Sequence, residues 1–477
     1  MMGSVPGSRA RVALFASLTC ALASFTLAVA QDAARASGTS PDATQPMTLE
    51  QAVDFGLAHN PAVIKASAAV SDAGATLARD RAATLPTVSG NLQNQMQKSA
   101  NSGQFAQIGV PVAPTFSQNT AALRANFNGL NLTNIDQARS DKQAYDQAKQ
   151  QLVLAQEQST QNVETSFYAV AQDEQLTGIA QENVNYNHTL MQIADVNYRA
   201  GKVAGLDRLK AQVAYTSALE QFASAQADQE DAQENLAQLI GAPMAQQFAI
   251  PSILPEPPLP DLDRNALDQL ALANRPEVAI AEAQLNAALI SDNMVDAPNR
   301  PNVQMTGAWG NQVSPTNNAL ILNNFNACVA AGNPPSACEP GGSHFYEVSI
   351  ISTWTLPLID YGTLHAAHTS AHREIDSQIA QLASAKQQAL IDVDQAVRRL
   401  LVDRDNLTLA ASNVEVAKQA AFISAAQYKV GIISQTDVAA AQQSYLAAAK
   451  DLVNAQVAYL LGIAALKKAT GTLTGAV

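Results

Sequence analysis

The chain has 477 residues and a formal net charge of −13, with 5% aromatic and 14% charged side chains. An acidic balance of that size excludes nucleic acid as a partner, because phosphates reward basic patches. So few aromatics exclude a set of bulky cores, and the abundant Ala, Gln, Asn and Ser suit helices packed closely through small side chains.

In chain order, Arg9 and Arg11 precede an apolar run from Val12 that ends Ala28-Val29-Ala30. A basic start, an apolar stretch and a small-x-small end predict a secretory signal peptide over residues 1–30. Cys20 follows Ser17-Leu18-Thr19 inside that run, which is not a lipoprotein cleavage box. No later segment offers the ~18 consecutive apolar residues of a transmembrane helix. Export without a helical anchor is expected, and residues 31–47 read as a linker.

A first repeat is expected over 48–250. Residues 48–84, 133–200 and 206–241 are helical by composition, with Pro61 interrupting the first. Between the first two lie strands within 86–129, where Leu123, Ala125 and Phe127 alternate with Arg124, Asn126 and Asn128. Residues 251–265 form a Pro-rich linker that would be extended. The second repeat, 266–477, is expected to carry helices 266–299, 362–430 and 435–470, with strands within 301–356. There Val303, Met305 and Trp309 alternate with polar residues, as do Tyr346, Val348, Ile350, Trp354 and Leu356.

The two halves align. At an offset of 215, Pro61 falls on Pro276 and Pro86 on Pro301. At an offset of 230, Val163 falls on Val393, Tyr198 on Tyr428, Gly201 on Gly431, Asp207 on Asp437 and Gly241 on Gly471. The extra residues of the second copy belong in the loop holding Cys328 and Cys338, for which a short-loop disulfide is the default in an exported protein. A helix over 133–200 would be roughly 100 Å long at 1.5 Å per residue, and the two shorter helices of each repeat stack to a similar length. Alternating segments of about ten residues suit membrane β-strands, but a soluble hairpin shows the same period. Four strands cannot close a barrel, so membrane strands would require an oligomer.

The Asn60-Pro61 segment, RPEVAIAEAQL from Arg275 and the two Tyr-x-x-Gly phrases with Asp six residues after Gly resemble the outer-membrane efflux protein family, the TolC-like channels, over nearly the whole chain. The resemblance implies a mainly α fold with a membrane β-barrel: a homotrimer with a 12-stranded barrel in outer-membrane lipid, continued by a periplasmic α-helical tube. It implies an outer-membrane exit duct of a tripartite efflux or type I secretion system. Such a duct is passive, fed by an inner-membrane transporter through a periplasmic adaptor protein, and needs no cofactor. The alternative is a secreted or periplasmic coiled-coil scaffold without a pore.

Gly201 and Gly431 end the long helices, as Gly does just past a helix terminus. Both turns become hairpin tips, with Tyr198, Gly201, Lys202, Arg208, Tyr428, Gly431 and Ser434 as candidates for adaptor contact. Asp207 and Asp437 are candidates for the pore gate. For Asp437 helix capping is the competing role, since Ser434-x-x-Asp437 fits a capping box. Ile433 and Ala440 stand where some relatives place a basic partner and a second acid, so Lys202 and Arg208 are alternative wiring. The tyrosines are expected to pack at the helix ends. No P-loop, nucleophile elbow or zinc-protease motif appears, so no enzyme is expected. His365, His368 and His372 share one helix face without acidic neighbours; this reads as a solvated polar stripe rather than a metal site.

Overall fold

The computed structural model describes residues 47–98, 115–128, 131–243, 248–251, 254–313, 327–334, 343–355, 358–430 and 432–473. The expected signal peptide, most of the linker after it, Cys20, Cys338, Leu356 and Gly431 lie outside them. The element order runs α1 (Leu49–His59), α2 (Pro61–Ala82), β1 (Thr87–Lys98), β2 (Thr115–Phe127), α3 (Leu132–Arg199) and α4 (Gly205–Ile240). It then repeats as α5 (Arg264–Asn274), α6 (Pro276–Val295), β3 (Asn302–Val313), β4 (Ser343–Thr353), α7 (Thr363–Lys429) and α8 (Gln435–Ala469). Among the described residues, no helix is long and apolar enough to cross a membrane. The described residues divide into two compact units: those within 47–67, 151–278 and 386–473, and those within 68–150 and 279–385.

The first unit is helical, and its cores fall at equivalent positions of the two repeats. Val163, Val170 and Leu236 bury with Ala52 and Ile240 in one cluster. Val393, Leu400 and Leu466, each 230 residues further on, bury with Ala271 in another. Full burial of such a side chain contributes about 1.5–3 kcal/mol. Pro61 and Pro276 explain why the first helix of each repeat breaks. Proline at the first helical position has no N–H to leave unsatisfied, and Asn60 Oδ1 accepts from the Ala62 N–H at 2.8 Å beside it.

The glycines that close each repeat pack on these breaks. Gly241 and Gly471 have φ of +74° and +68°. Each ends its helix in a Schellman turn, with Ala242 N donating to Ala237 O at 2.9 Å and Thr472 N to Lys467 O at 2.8 Å. A Cβ on Gly241 would lie 3.0 Å from the Cβ of His59, and one on Gly471 would lie 2.8 Å from the carbonyl carbon of Asn274. His59 and Asn274 each stand two residues before the proline. Gly471→Ala therefore combines backbone strain with a backbone collision, and should lower stability by about 1–3 kcal/mol. A urea midpoint unchanged from the wild type would contradict that packing.

The second unit holds an antiparallel sheet of order β1-β2-β3-β4. Leu92 pairs with Ala121, Ala121 with Asn311, Leu123 with Trp309 and Trp309 with Tyr346. The helices adjoining the sheet are tied to its base. Arg300 donates to Asp136 Oδ2 at 2.7 Å and to the Asn293 carbonyl at 2.7 Å, while Asp136 Oδ1 receives Arg139 at 3.0 Å. Trp354 does not continue the alternation: β4 ends at Thr353, and the Trp354 indole N–H donates to the Asn299 carbonyl at 2.9 Å. Before α7, the Asp360 carboxylate accepts from the N–H groups of Gly362 and Leu364 at 3.0 and 3.2 Å. Those two bonds hold its carboxyl below the usual range. Cys328 is disulfide-bonded.

Candidate functional site

Register decides what the sheet can do. The face carrying Val88, Leu92, Leu123, Trp309, Tyr346, Val348 and Ile350 is apolar, and all of these side chains are solvent-exposed. The opposite face carries Ser89, Asn91, Arg124, Thr306, Glu347 and Ser349. A water-soluble antiparallel sheet commonly packs its apolar face on a core; here that face is left exposed within the chain. Strands of 11–13 residues are at least as long as the ~9–11 residues that a tilted strand needs to cross a bilayer. The strand order leaves β1 and β4 as edges.

The first hairpin turn closes α3 onto α4. Lys202 N donates to Asn197 O at 2.9 Å and Gly201 N to Tyr198 O at 3.0 Å, a Schellman turn with Gly201 at φ +71°. Nothing lies within 4 Å of where a Gly201 Cβ would be, so glycine serves conformation there and not space. The second turn makes the equivalent bond, Ile432 N to Gln427 O at 3.0 Å.

Asp437 closes a capping box at the start of α8. Its Oδ2 accepts from the Ser434 hydroxyl at 2.8 Å and the Ser434 N–H at 3.1 Å, and Ser434 Oγ accepts from the Asp437 N–H at 3.3 Å. The hydroxyl first, and then the N–H, hold the Asp437 carboxyl below the usual carboxylate range. The side chain is exposed and stays charged. Asp207 is different. The cap of α4 is Ala204, with no side-chain cap bond, and Asp207 sits in the first turn. Its charge reaches across to Tyr428, whose phenol is raised by burial and then by Asp207.

The tyrosines share a sequence context but not an environment. Tyr428 is 3% exposed and Tyr198 is 44% exposed. Tyr428 packs with Leu190, Val438, Tyr186, Ile193 and Ile433, and its buried hydroxyl has no hydrogen-bond partner among the described residues. Tyr198 instead lies under the Arg208 guanidinium, 5.1 Å from the ring centre. Arg208 also approaches Asp195 at 3.8 Å, and Asp195 takes Arg199 at 2.6 Å. The Arg208 charge is thus engaged within its own hairpin. Lys202 is exposed. Lys210 reaches the second hairpin, its Nζ 3.4 Å from Thr436 Oγ1. Asp195 could have been found from its i,i+4 spacing to Arg199; Lys210 and Thr436 carry no local signal.

The histidine stripe does have acidic neighbours, contrary to the sequence reading. They come from α6, far away in the chain: Asp292 and Asp296 face His368. His365 is exposed and outside this group.

Comparison with known proteins agrees with this geometry. No curated protein sequence matches significantly. Among solved structures, VceC from Vibrio cholerae is 19% identical with a TM-score of 0.68, covering 89% of this chain and 96% of that one. CmeC from Campylobacter jejuni is 17% identical, with a TM-score of 0.71 and coverage of 92% and 91%. The open state of MtrE from Neisseria gonorrhoeae is 20% identical, with a TM-score of 0.67 and coverage of 90% and 89%. At these identities the likeness is one of fold. The outer membrane efflux protein model matches residues 54–242 and 267–472. With that match over most of its length, the chain belongs to the outer membrane efflux protein family, whose members are transport conduits and not enzymes.

Proposed function

We propose that the protein is the outer-membrane exit duct of a tripartite efflux or type I secretion assembly. The observation that carries this reading is the sheet with one apolar exposed face and two free edges, β1 and β4. Joining β4 of one copy to β1 of the next removes every edge, and three copies give twelve strands, enough to close a barrel. The helices then continue into the periplasm, where a trimer presents six hairpin turns to a periplasmic adaptor. Energy comes from an inner-membrane transporter, and the duct conducts passively.

In this reading Asp207 and Asp437 line the mouth as charged rings. Single-channel recording in planar bilayers tests it, using Asp207→Asn/Asp437→Asn so that the amide preserves the α8 cap. Small cation-selective steps are expected from the wild type, with larger and less selective steps from the double variant. Steps unchanged by the substitution would remove both acids from the gate. No conductance from the folded protein would sink the duct and leave a coiled-coil scaffold.

A further inference from the structure

The base of the β3–β4 hairpin carries a cluster of two histidines and two aspartates. Asp292 and Asp296 stand one turn apart on or just past α6, and His368 and His372 one turn apart on α7. All four belong to one compact unit. The His368 ring lies between the two carboxylates, with Nδ1 3.4 Å from Asp292 Oδ1 and Nε2 3.2 Å from Asp296 Oδ1. Donor atoms of Asp292, His368 and His372 all fall within 4.8 Å of one another. The His368 and His372 rings are stacked, 6.3 Å apart.

We propose that Asp292, His368 and His372 hold one divalent transition-metal ion of the zinc class, with Asp296 as a positioning residue for His368. A tetrahedral centre with bonds of about 2.0–2.1 Å puts neighbouring ligand atoms about 3.4 Å apart. The Asp292–His368 pair is already at that spacing. His372 is exposed, with a ring nitrogen already within 4.8 Å of the other two ligand atoms. A metal-bound imidazole gives its second ring N–H to a carboxylate, which fixes the tautomer and the ring plane. Asp296 is placed to accept that proton from Nε2, leaving the Nδ1 lone pair on the Asp292 side. Two imidazoles and one carboxylate suit zinc, nickel or copper, and supply too few oxygens for calcium or magnesium. A fourth position is left to water. The ion would clasp α6 to α7 across the hairpin that lies between them in the chain.

The test uses the full chain without a polyhistidine tag, purified in detergent and stripped with a chelator. Calorimetric titration with zinc is expected to show one ion per chain in the micromolar range. Cobalt should give the strong visible absorption of a tetrahedral site, and zinc should raise the thermal midpoint in step with occupancy. His372→Ala, an exposed substitution that leaves the helix intact, should abolish all three responses. Asp296→Asn should weaken binding about 10–100-fold. His365→Ala should change nothing. Absence of a zinc response in the wild type, full binding by His372→Ala, or loss of binding in His365→Ala would each overturn the assignment. A thermal midpoint that follows pH and ignores zinc would reduce the cluster to an ion pair of protonated His368 with two aspartates.

Discussion

Leu92→Arg is expected to block assembly in the outer membrane, whereas Asn91→Arg, one residue away, is tolerated. Leu92 lies near the middle of β1, is 87% exposed, and belongs to the apolar face with Leu123 and Trp309. Asn91 faces the other way, opposite Ala122. An arginine on the lipid side near the bilayer midplane costs about 2–4 kcal/mol, while one on the lumen side tunes conduction. In a trimer the penalty is incurred three times in one barrel. The measurement is the amount of each variant in the outer-membrane fraction, with migration of the unheated oligomer on a denaturing gel. Equal behaviour of the two variants would show that the apolar face does not meet lipid.

Arg275→Ala carries the other large effect. The buried guanidinium forms a fork with Glu277, at 3.1 and 3.2 Å, and reaches Asp392 Oδ2 at 2.5 Å. Close by, Glu157 is only 2% exposed, and burial, then the charge of Glu277, pushes its carboxyl up to about 7 against the pull of Arg275 and Lys468. Glu277 and Asp392 are themselves about a third exposed, so the loss is that of the charge-assisted hydrogen bonds and the guanidinium packing, about 1.5–3 kcal/mol. Arg275→Lys should recover little, because a point charge cannot replace the two-pronged contact. The pH dependence has a definite sign. Glu157 keeps its proton in the folded chain beyond the pH at which the unfolded chain releases it. Its contribution is therefore whole below about pH 4.5 and is lost as pH rises through about 7, by up to roughly 3 kcal/mol. Glu157→Gln should flatten the stability profile across that window in urea titrations followed by circular dichroism. A profile identical to that of the wild type would remove Glu157 as its cause.

Some of this was legible from the residues alone. Glycine and proline punctuate the repeats, and each marks a backbone event that only those residues serve well, as at Pro61 and Gly241. The alternation in β3 and β4 shows because Trp309, Tyr346, Val348 and Ile350 are large. β1 is much fainter. On its apolar face Gly90 lies between Val88 and Leu92, and Asn94 follows, while Leu123 and Ala125 of the adjacent strand fill in the apolar surface. That completion depends on register, which local periodicity does not contain. The same limit hid the carboxylates around His368 and the charges around Glu157. Each pairs residues from different helices, and the helices are too polar on all sides to announce which face meets which.

The hairpin turns show where duplication stops being symmetry. Tyr428 has its place inside its own chain, and Tyr198 shows its ring to the outside under Arg208. Around a threefold axis the rim would therefore alternate between two chemical kinds of tip, although the residues spell nearly the same phrase in both. A ligand raised against the outward tyrosine would saturate at three per duct and leave the intervening tips bare. A partner with six identical subunits would have to accept two unlike handholds.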